Sequence, residues 1–391
     1  MSDFDFSKLT NRLNKNSLKF NVLDNELPMW VADMDFESAP EVVKTIVDCA
    51  KSGLYGYKIV NDEFYQSIID WWKKRHNLEL KKEYICFVYG VVPAICSIIK
   101  AFSKKNDFIL LQSPVYGTFY KCIKANNRKV LENPLIYKNN AYKIDFKDLE
   151  KKLKHSKTKI MILCNPHNPI GKIWQRQDLE KIATLCKKYK VLVISDEIHC
   201  DITQDSYTPF ASIDNHNSIT LISPSKAFNL ASIHSASAFT ANPHLKRKIY
   251  IAFNADKIAD VGAFSVEASI CAYRQEEWLN ALNEVITKNK NYAKIYIKMH
   301  TPLKVVPSNA TYLLWVDCST ICKDTTNFAT FLREKTGLFI SKGIDFGKNG
   351  KSFIRINIAT QKERLQDGLK RLVRGVELYC NENNINIKEL N

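Results

Sequence analysis

Lys226 lies in Ser223-Pro224-Ser225-Lys226-Ala227-Phe228-Asn229, directly after the apolar run Ile219-Thr220-Leu221-Ile222. Two hydroxyls and an amine at the end of a strand can hold a phosphate and a reactive nitrogen side by side. Upstream, Val191-Leu192-Val193-Ile194-Ser195 ends in Asp196-Glu197-Ile198-His199, and Ile160-Met161-Ile162-Leu163-Cys164 ends in Asn165-Pro166-His167-Asn168-Pro169-Ile170-Gly171. A lysine for a Schiff base, an aspartate for a ring nitrogen and an asparagine for a ring oxygen suggest pyridoxal 5'-phosphate (PLP). A Schiff-base lysine needs a depressed pKa, which partial burial and a cationic ring supply. Asp196 would keep the pyridine nitrogen protonated, and His199 would support that carboxylate. The bland readings are a lysine reaching solvent and a satisfied loop histidine.

The phosphate needs donors as well. Ser223 and Ser225 offer hydroxyls. Gly90-Val91-Val92 falls between the strand-like Tyr84–Tyr89 and a helical stretch, so its N–H groups can face an anion at a helix N-terminus. Tyr116 follows another strand in Ser113-Pro114-Val115-Tyr116 and either stacks on a pyridine face or fills the core. Phe353-Ile354-Arg355-Ile356-Asn357-Ile358 carries an arginine inside an apolar strand. That charge is costly unless paired, and its planar fork suits a substrate carboxylate or a structural ion pair.

These residues need elements to position them. Tyr84–Tyr89, Asp107–Gln112, Lys159–Cys164, Lys190–Ser195 and Ser218–Ile222 read as strands, several apolar on both faces. Helical patterns such as Val92–Phe102 and Gln177–Tyr189 alternate with them, which predicts an α/β fold with a mostly parallel sheet. Glu63–His76 puts Phe64, Ile68, Ile69 and Trp72 on one helical face. From about Glu276 the pattern changes to a long helix, Glu277–His300, then strands Ala310–Val316 and Ser352–Ile358 and helices Asn327–Lys335 and Lys362–Tyr379. This predicts a second, smaller α+β domain. In open α/β sheets ligands bind beyond the carboxyl ends of the strands, where the strand-end motifs fall.

The chain of 391 residues at 45% hydrophobic can bury a large core. Met1–Phe20 is polar and charged, so no secretory leader is expected, and no apolar run approaches the ~20 residues of a membrane span. The eleven cysteines lack C-x-x-C spacing and mostly sit in apolar runs, as Cys86, Cys96, Cys164 and Cys186 do, which predicts reduced thiols in the cytoplasm. Cys318 and Cys322 have no paired ligands, so no metal is expected. The formal charge of +16 is spread over clusters such as Lys73-Lys74-Arg75 and Lys151-Lys152. Without an aromatic-interleaved basic stripe or helix-turn-helix pattern, it reads as solvated surface charge and predicts no nucleic-acid partner.

Several further segments follow one another in a distinctive order: Leu27-Pro28-Met29-Trp30-Val31-Ala32-Asp33-Met34-Asp35-Phe36, Tyr55-Gly56-Tyr57, Phe64-Tyr65, Trp71–His76 and Gly90-Val91-Val92-Pro93, then Asn165–Gly171, Asp196-Glu197-Ile198-His199 and Ser223–Leu230. Over nearly the whole chain they resemble the fold-type I PLP enzymes of the aspartate aminotransferase superfamily. More narrowly, they resemble the MalY/PatB group of cystathionine β-lyases, also called cysteine-S-conjugate β-lyases. The Asn-Pro…Asn-Pro-x-Gly element is general to the superfamily, whereas the opening segment and Asp-Glu-Ile-His are more selective.

The resemblance implies an N-terminal segment (1–45) packed on the small domain, a large PLP-binding domain (46–280) and a small C-terminal domain (281–391). It implies Lys226 as the Schiff-base lysine, Asp196 at the ring nitrogen, Asn168 at the ring hydroxyl and Tyr116 stacked on the ring. Arg355 would bind the substrate α-carboxylate beside Ala32, and the Asn168–Pro169 bond would be cis. Tyr57 would reach the phosphate of a neighbouring subunit, which implies a homodimer with composite sites. The implied reaction is α,β-elimination from cystathionine or another cysteine S-conjugate, giving a thiol, pyruvate and ammonia. The alternatives are an aminotransferase of the kynurenine–glutamine type and a non-catalytic regulator on the same fold. Regulators of that kind carry an added DNA-binding domain, for which a chain entering its enzyme-like motif by Leu27 leaves no room.

Departures from the pattern are Ala231-Ser232-Ile233, where a glycine is common, and Pro114-Val115-Tyr116-Gly117-Thr118. A third is His234, where aminotransferases place an arginine or lysine for the phosphate; it favours the lyase group.

Overall fold

The computed structural model describes residues 4–13 and 16–386. Seven strands form its main sheet: β1 (Ile85–Val88), β2 (Phe108–Leu111), β3 (Lys129–Glu132), β4 (Thr158–Cys164), β5 (Leu192–Asp196), β6 (Ser218–Ile222) and β7 (Ala236–Phe239). Their order across the sheet is β1-β7-β6-β5-β4-β2-β3. Only β7 runs antiparallel to its neighbours. The five strands expected from sequence are present, most of them shorter by a residue or two at an end. β5 and β6 are buried along their whole length. Helices cover both faces of such a sheet, so apolar residues are required on both. Each fully buried Val, Leu or Ile contributes about 1.5–3 kcal/mol, which explains the long Ile/Leu/Val runs.

Two strands of the main sheet leave no apolar signature in the sequence. β3 is half-exposed at the sheet edge, and β7 (Ala-Ser-Ala-Phe) is too small in its side chains to register as an apolar run.

Helix Asp62–His76 starts on Asn61, whose side chain accepts from Phe64 N at 3.0 Å. Its buried face is Phe64, Ser67, Ile68, Trp71 and Trp72; Ile69 is only half-buried, and Trp71 takes the place expected of it. The 25-residue helix Glu276–His300 leads to a second sheet of β8 (Lys304–Val305), β9 (Leu313–Asp317), β10 (Ser341–Lys342) and β11 (Phe353–Asn357). This sheet is antiparallel throughout, in the order β8-β9-β11-β10. Leu27–Pro28 pairs in parallel with Leu338–Phe339, which ties the N-terminal stretch to this C-terminal part.

Candidate active site

Every strand of the main sheet except β7 ends on the same edge, and a cavity of about 420 Å³ opens there. It is lined by Ala32, Gly90, Val91, Val92, Tyr116, Asn168, Asp196, His199, Ser223, Ser225 and Lys226. Cys164, Ile198, His234 and Ser235 also face it. Residues from separate strand ends therefore converge because β1, β4, β5 and β6 share one direction. In the β4–β5 pair, Cys164 lies opposite Asp196.

Lys226 Nζ donates to the Ala32 carbonyl at 2.6 Å, and the Tyr312 hydroxyl donates to the same oxygen at 3.1 Å. Burial lowers the Lys226 pKa to about 8; Asp33 and Asp196 oppose this shift and Arg355 reinforces it. The amine is thus partly neutral near physiological pH, as a nucleophile requires. Burial raises Asp196 to about 7, opposed by the Ile198 N–H at 3.2 Å and by Lys226. A cation at its face would return it to the carboxylate.

His199 differs from expectation. Among the described residues no hydrogen bond joins it to Asp196, whose carboxylate is held by the Ile198 N–H instead. Burial, then Lys226 and Arg355, push His199 down to about 3, so its ring is neutral. Its Nδ1 is buried without a partner, and its edge packs against Tyr312 at 6.2 Å.

Asn168 precedes a cis proline bond, as do Ser113 and Asn165. Its Oδ1 accepts from Arg355 Nη1 at 3.1 Å, which leaves the Asn168 amide N–H groups as donors. Arg355 itself is 6% exposed on β11. Its Nη2 donates to the Trp30 carbonyl at 2.8 Å, and the guanidinium lies 4.7 Å from the centre of the Phe346 ring. Among the described residues no carboxylate pairs with it, and its Nε has no partner. Burial draws its pKa down to about 10, so it stays cationic. An unpaired buried ion costs several kcal/mol, so the structural ion pair considered from sequence does not account for this arginine.

The helix Val91–Phe102 begins at Gly90 with no side chain capping it, so its first N–H groups are available to an anion. The Ser223 hydroxyl donates to the Ser235 carbonyl at 2.6 Å and accepts from Ser225 N at 3.1 Å. Its proton is therefore engaged, and Ser225 is the better phosphate donor of the two. Ala231–Ile233 forms a short 3-10 turn, followed by His234 in a left-handed conformation (φ 54°) at the cavity mouth. Tyr116 is half-buried, its ring edge-on to Phe119 at 5.5 Å. Tyr57 lies outside the cavity lining and is fully exposed, on a stretch where Leu54, Tyr55 and Ile59 are exposed too.

The sequence singles out Leu27–Phe36 and Ala32 but does not show what holds them. Trp30–Phe36 runs over the site as a strap whose carbonyls are taken by side chains from elsewhere. Asn357 Nδ2 donates to the Val31 and Asp33 carbonyls, each at 2.6 Å. Asn229 Nδ2 donates to those of Met34 at 3.2 Å and Phe36 at 2.9 Å. Tyr312 and Arg355 hold Ala32 and Trp30. Asn229 ends the lysine motif with φ 57°, the one local hint.

His76, Cys200 and Asp201 place one potential ligand atom each within 4.8 Å of one another. Asp201 is already met by His76 Nε2 at 2.9 Å, Trp71 Nε1 at 3.1 Å and Arg75 Nε at 3.4 Å. Burial raises its pKa, but His76, Arg75 and Trp71 outweigh that and hold it low. An ion-paired cluster accounts for these residues. Among the described residues no helix is long and apolar enough to cross a membrane.

Residues 24–372 match the family model of class I and II aminotransferases. The chain is 36% identical to cystathionine β-lyase PatB of Bacillus subtilis (strain 168) over 383 residues, covering 94% of this chain and 98% of that protein. It is 28% identical to protein MalY of Escherichia coli (strain K12), covering 95% and 99% of the two chains. Its fold superposes on cystalysin from Treponema denticola, whose crystal structure contains PLP, with a TM-score of 0.91 at 30% identity over 96% of this chain and 99% of that one.

Proposed function

Because the chain belongs to the class I and II aminotransferase family, we propose that the strand-end cavity is the active site of a PLP-dependent carbon–sulfur β-lyase. Its substrates are cystathionine or related cysteine S-conjugates. The observation that carries the lyase reading is the similarity to PatB along almost the whole chain. The residues present fit the cofactor. Lys226 offers a partly neutral amine, Asp196 a buried acid for a cationic nitrogen, and Asn168 and His199 polar atoms for a ring oxygen. The uncapped helix start at Val91 and Ser225 suit a phosphate.

When bound, PLP supplies an aldehyde that captures the substrate's amine and a protonated ring that takes up the electrons of the Cα–H bond. Arg355 holds the substrate carboxylate with its fork, while Trp30 and Asn168 fix the guanidinium plane. Asp196 would hold a proton on the ring nitrogen by its negative charge. Lys226, once free, takes the Cα proton as its amine and carries it as an ammonium. The Ala32 carbonyl gives that ammonium an acceptor within 2.6 Å. Lys226 can then return the proton to the sulfur as the Cβ–S bond breaks, so one residue serves as base and acid. The thiol departs, and the three-carbon remainder ends, with addition of water, as pyruvate and ammonia.

Tyr57 completes this reading in a homodimer. Its full exposure beside Leu54, Tyr55 and Ile59 supports a role on a partner's phosphate rather than its own. The test of the function is stoichiometric: L-cystathionine with the purified holoenzyme, following pyruvate and free thiol together, beside Lys226→Ala. Equal release of both without a keto-acid acceptor, lost in the variant, is expected. Turnover only after a 2-oxo acid is added would make the protein an aminotransferase.

A further inference from the structure

Glu197 directly follows Asp196, the proposed ring-nitrogen partner, yet nothing in the reaction uses it. It is fully buried, with 0% of its surface exposed. A carboxyl in such a place is retained at a cost of several kcal/mol unless its oxygens are satisfied. Here they are. Oε1 accepts from the Ser195 hydroxyl at 2.7 Å and from Phe210 N at 2.9 Å, and Oε2 accepts from the Tyr207 hydroxyl. Burial raises the Glu197 pKa to about 7, while Tyr207, Phe210, Ser195 and Asn165 pull it back down.

Those donors come from two segments, and a third meets them through Asn165. Ser195 belongs to β5, the strand that ends in Asp196. Tyr207 and Phe210 belong to the loop beyond it. Asn165 opens the loop that carries Asn168; its backbone N–H donates to the Asp196 carbonyl at 2.9 Å and its amide to the Thr208 carbonyl at 3.0 Å. Glu197 N in turn donates to the Leu221 carbonyl at 3.0 Å, on the strand that leads to Lys226. The carboxylate therefore joins the Asp196 strand end directly to the 207–210 loop, and that loop, at Thr208, holds Asn165 at the head of the Asn168 loop.

We propose that Glu197 is a positioning residue, a buried clamp that sets the spacing between Asp196 and Asn168 and so the seat of the cofactor ring. It touches neither cofactor nor substrate. The inference rests on the PLP reading of the cavity. Loss of the clamp leaves Ser195, Tyr207 and Phe210 N without their acceptor, and the two ring contacts drift apart while the sheet itself remains.

The test uses the full chain reconstituted with PLP, as wild type, Glu197→Ala, Glu197→Gln and, for comparison, Asp201→Asn from the neighbouring ion-paired cluster. Two quantities are read: the PLP dissociation constant, and the circular dichroism induced in the cofactor's visible band, which reports its orientation. Glu197→Ala is expected to weaken PLP binding at least about tenfold, the equivalent of one charge-assisted hydrogen bond, and to change the induced band. Glu197→Gln, which keeps the shape and most acceptor positions, is expected to restore both. Asp201→Asn is expected to lower the melting temperature without moving the band. A wild-type band and affinity in folded Glu197→Ala would overturn the proposal, as would a Gln variant no better than Ala. Should Glu197→Ala fail to fold, Tyr207→Phe removes one donor, and an unmoved band there would overturn it too. If the wild-type chain itself takes up no PLP, the reading of the cavity falls first, and the clamp with it.

Discussion

Arg355 Nη1 donates to Asn168 Oδ1 across 3.1 Å, joining a strand of the C-terminal sheet to the loop behind β4. The bond fixes the guanidinium plane and turns the remaining Asn168 donors toward the cavity. In the proposed site, this single side chain would link the substrate carboxylate on Arg355 to the cofactor ring.

Arg355→Lys keeps the charge and loses the fork. Forfeiting one charge-assisted hydrogen bond costs about 1.5–3 kcal/mol. The expected result is a KM for cystathionine raised on the order of 10–100-fold, with a smaller change in kcat. Steady-state kinetics of pyruvate release check it.

Lys226 has its pKa lowered to about 8 by burial. Below that pH it is an ammonium and cannot attack an aldehyde; above it the amine is free. The rate at which the apoprotein takes up PLP is therefore expected to rise with pH, reach half its maximum near pH 8 and level off above. Stopped-flow absorbance measures it, and a rate already flat from pH 6 would contradict the burial argument.

Asp196→Asn cannot hold a proton on the ring nitrogen by charge. A fall in kcat on the order of 10²–10³-fold is expected, by analogy with removal of one preorganised electrostatic contact. The unloaded protein should behave oppositely. A carboxyl whose folded pKa is raised to about 7 favours folding only while protonated, so it loses stability as pH climbs from its unfolded value near 3.8 to about 7. Unloaded Asp196→Asn is thus expected to melt above the wild type at pH 8 and not at pH 3, as read by thermal melts across pH.

Tyr57→Ala and Lys226→Ala would each be inactive or impaired as homodimers. In the proposed homodimer, mixing and re-annealing them would give heterodimers in which one of the two sites keeps both native residues. Recovery of activity on mixing is expected; its absence would remove Tyr57 from the partner's site.

Asn357→Ala strips both donors from the strap, leaving the Val31 and Asp33 carbonyls without them. It also removes the Oδ1 that accepts from Ala359 N at 2.8 Å, and three lost hydrogen bonds correspond to about 2–4 kcal/mol. Urea unfolding of the apoprotein is expected to show a loss of that size, with an unchanged slope.

Sequence and structure divided the work according to the range of the forces involved. The strands ending in Cys164, Asp196 and Ile222 were legible because a parallel strand covered on both faces must be apolar throughout, and the polar residue that follows then stands out. Lys226, Asp196 and Asn168 were readable as a set because each terminates such a run. Arg355 was legible because a charge within an apolar strand needs a reason. The opposite holds for β7, whose small side chains serve close packing and leave no apolar signature.

What the chain alone determined, then, was the kind of chemistry and the layered α/β scaffold, since both are written in local pattern and residue type. Tertiary structure alone decided that His199 is neutral and unattached to Asp196, that Arg355 has Asn168 rather than an acid beside it, and that Tyr312, Asn357 and Glu197 support the site. Those outcomes depend on burial and, for Tyr312, Arg355 and Asn357, on partners over a hundred residues away. Desolvation and long-range hydrogen bonding leave no mark on spacing.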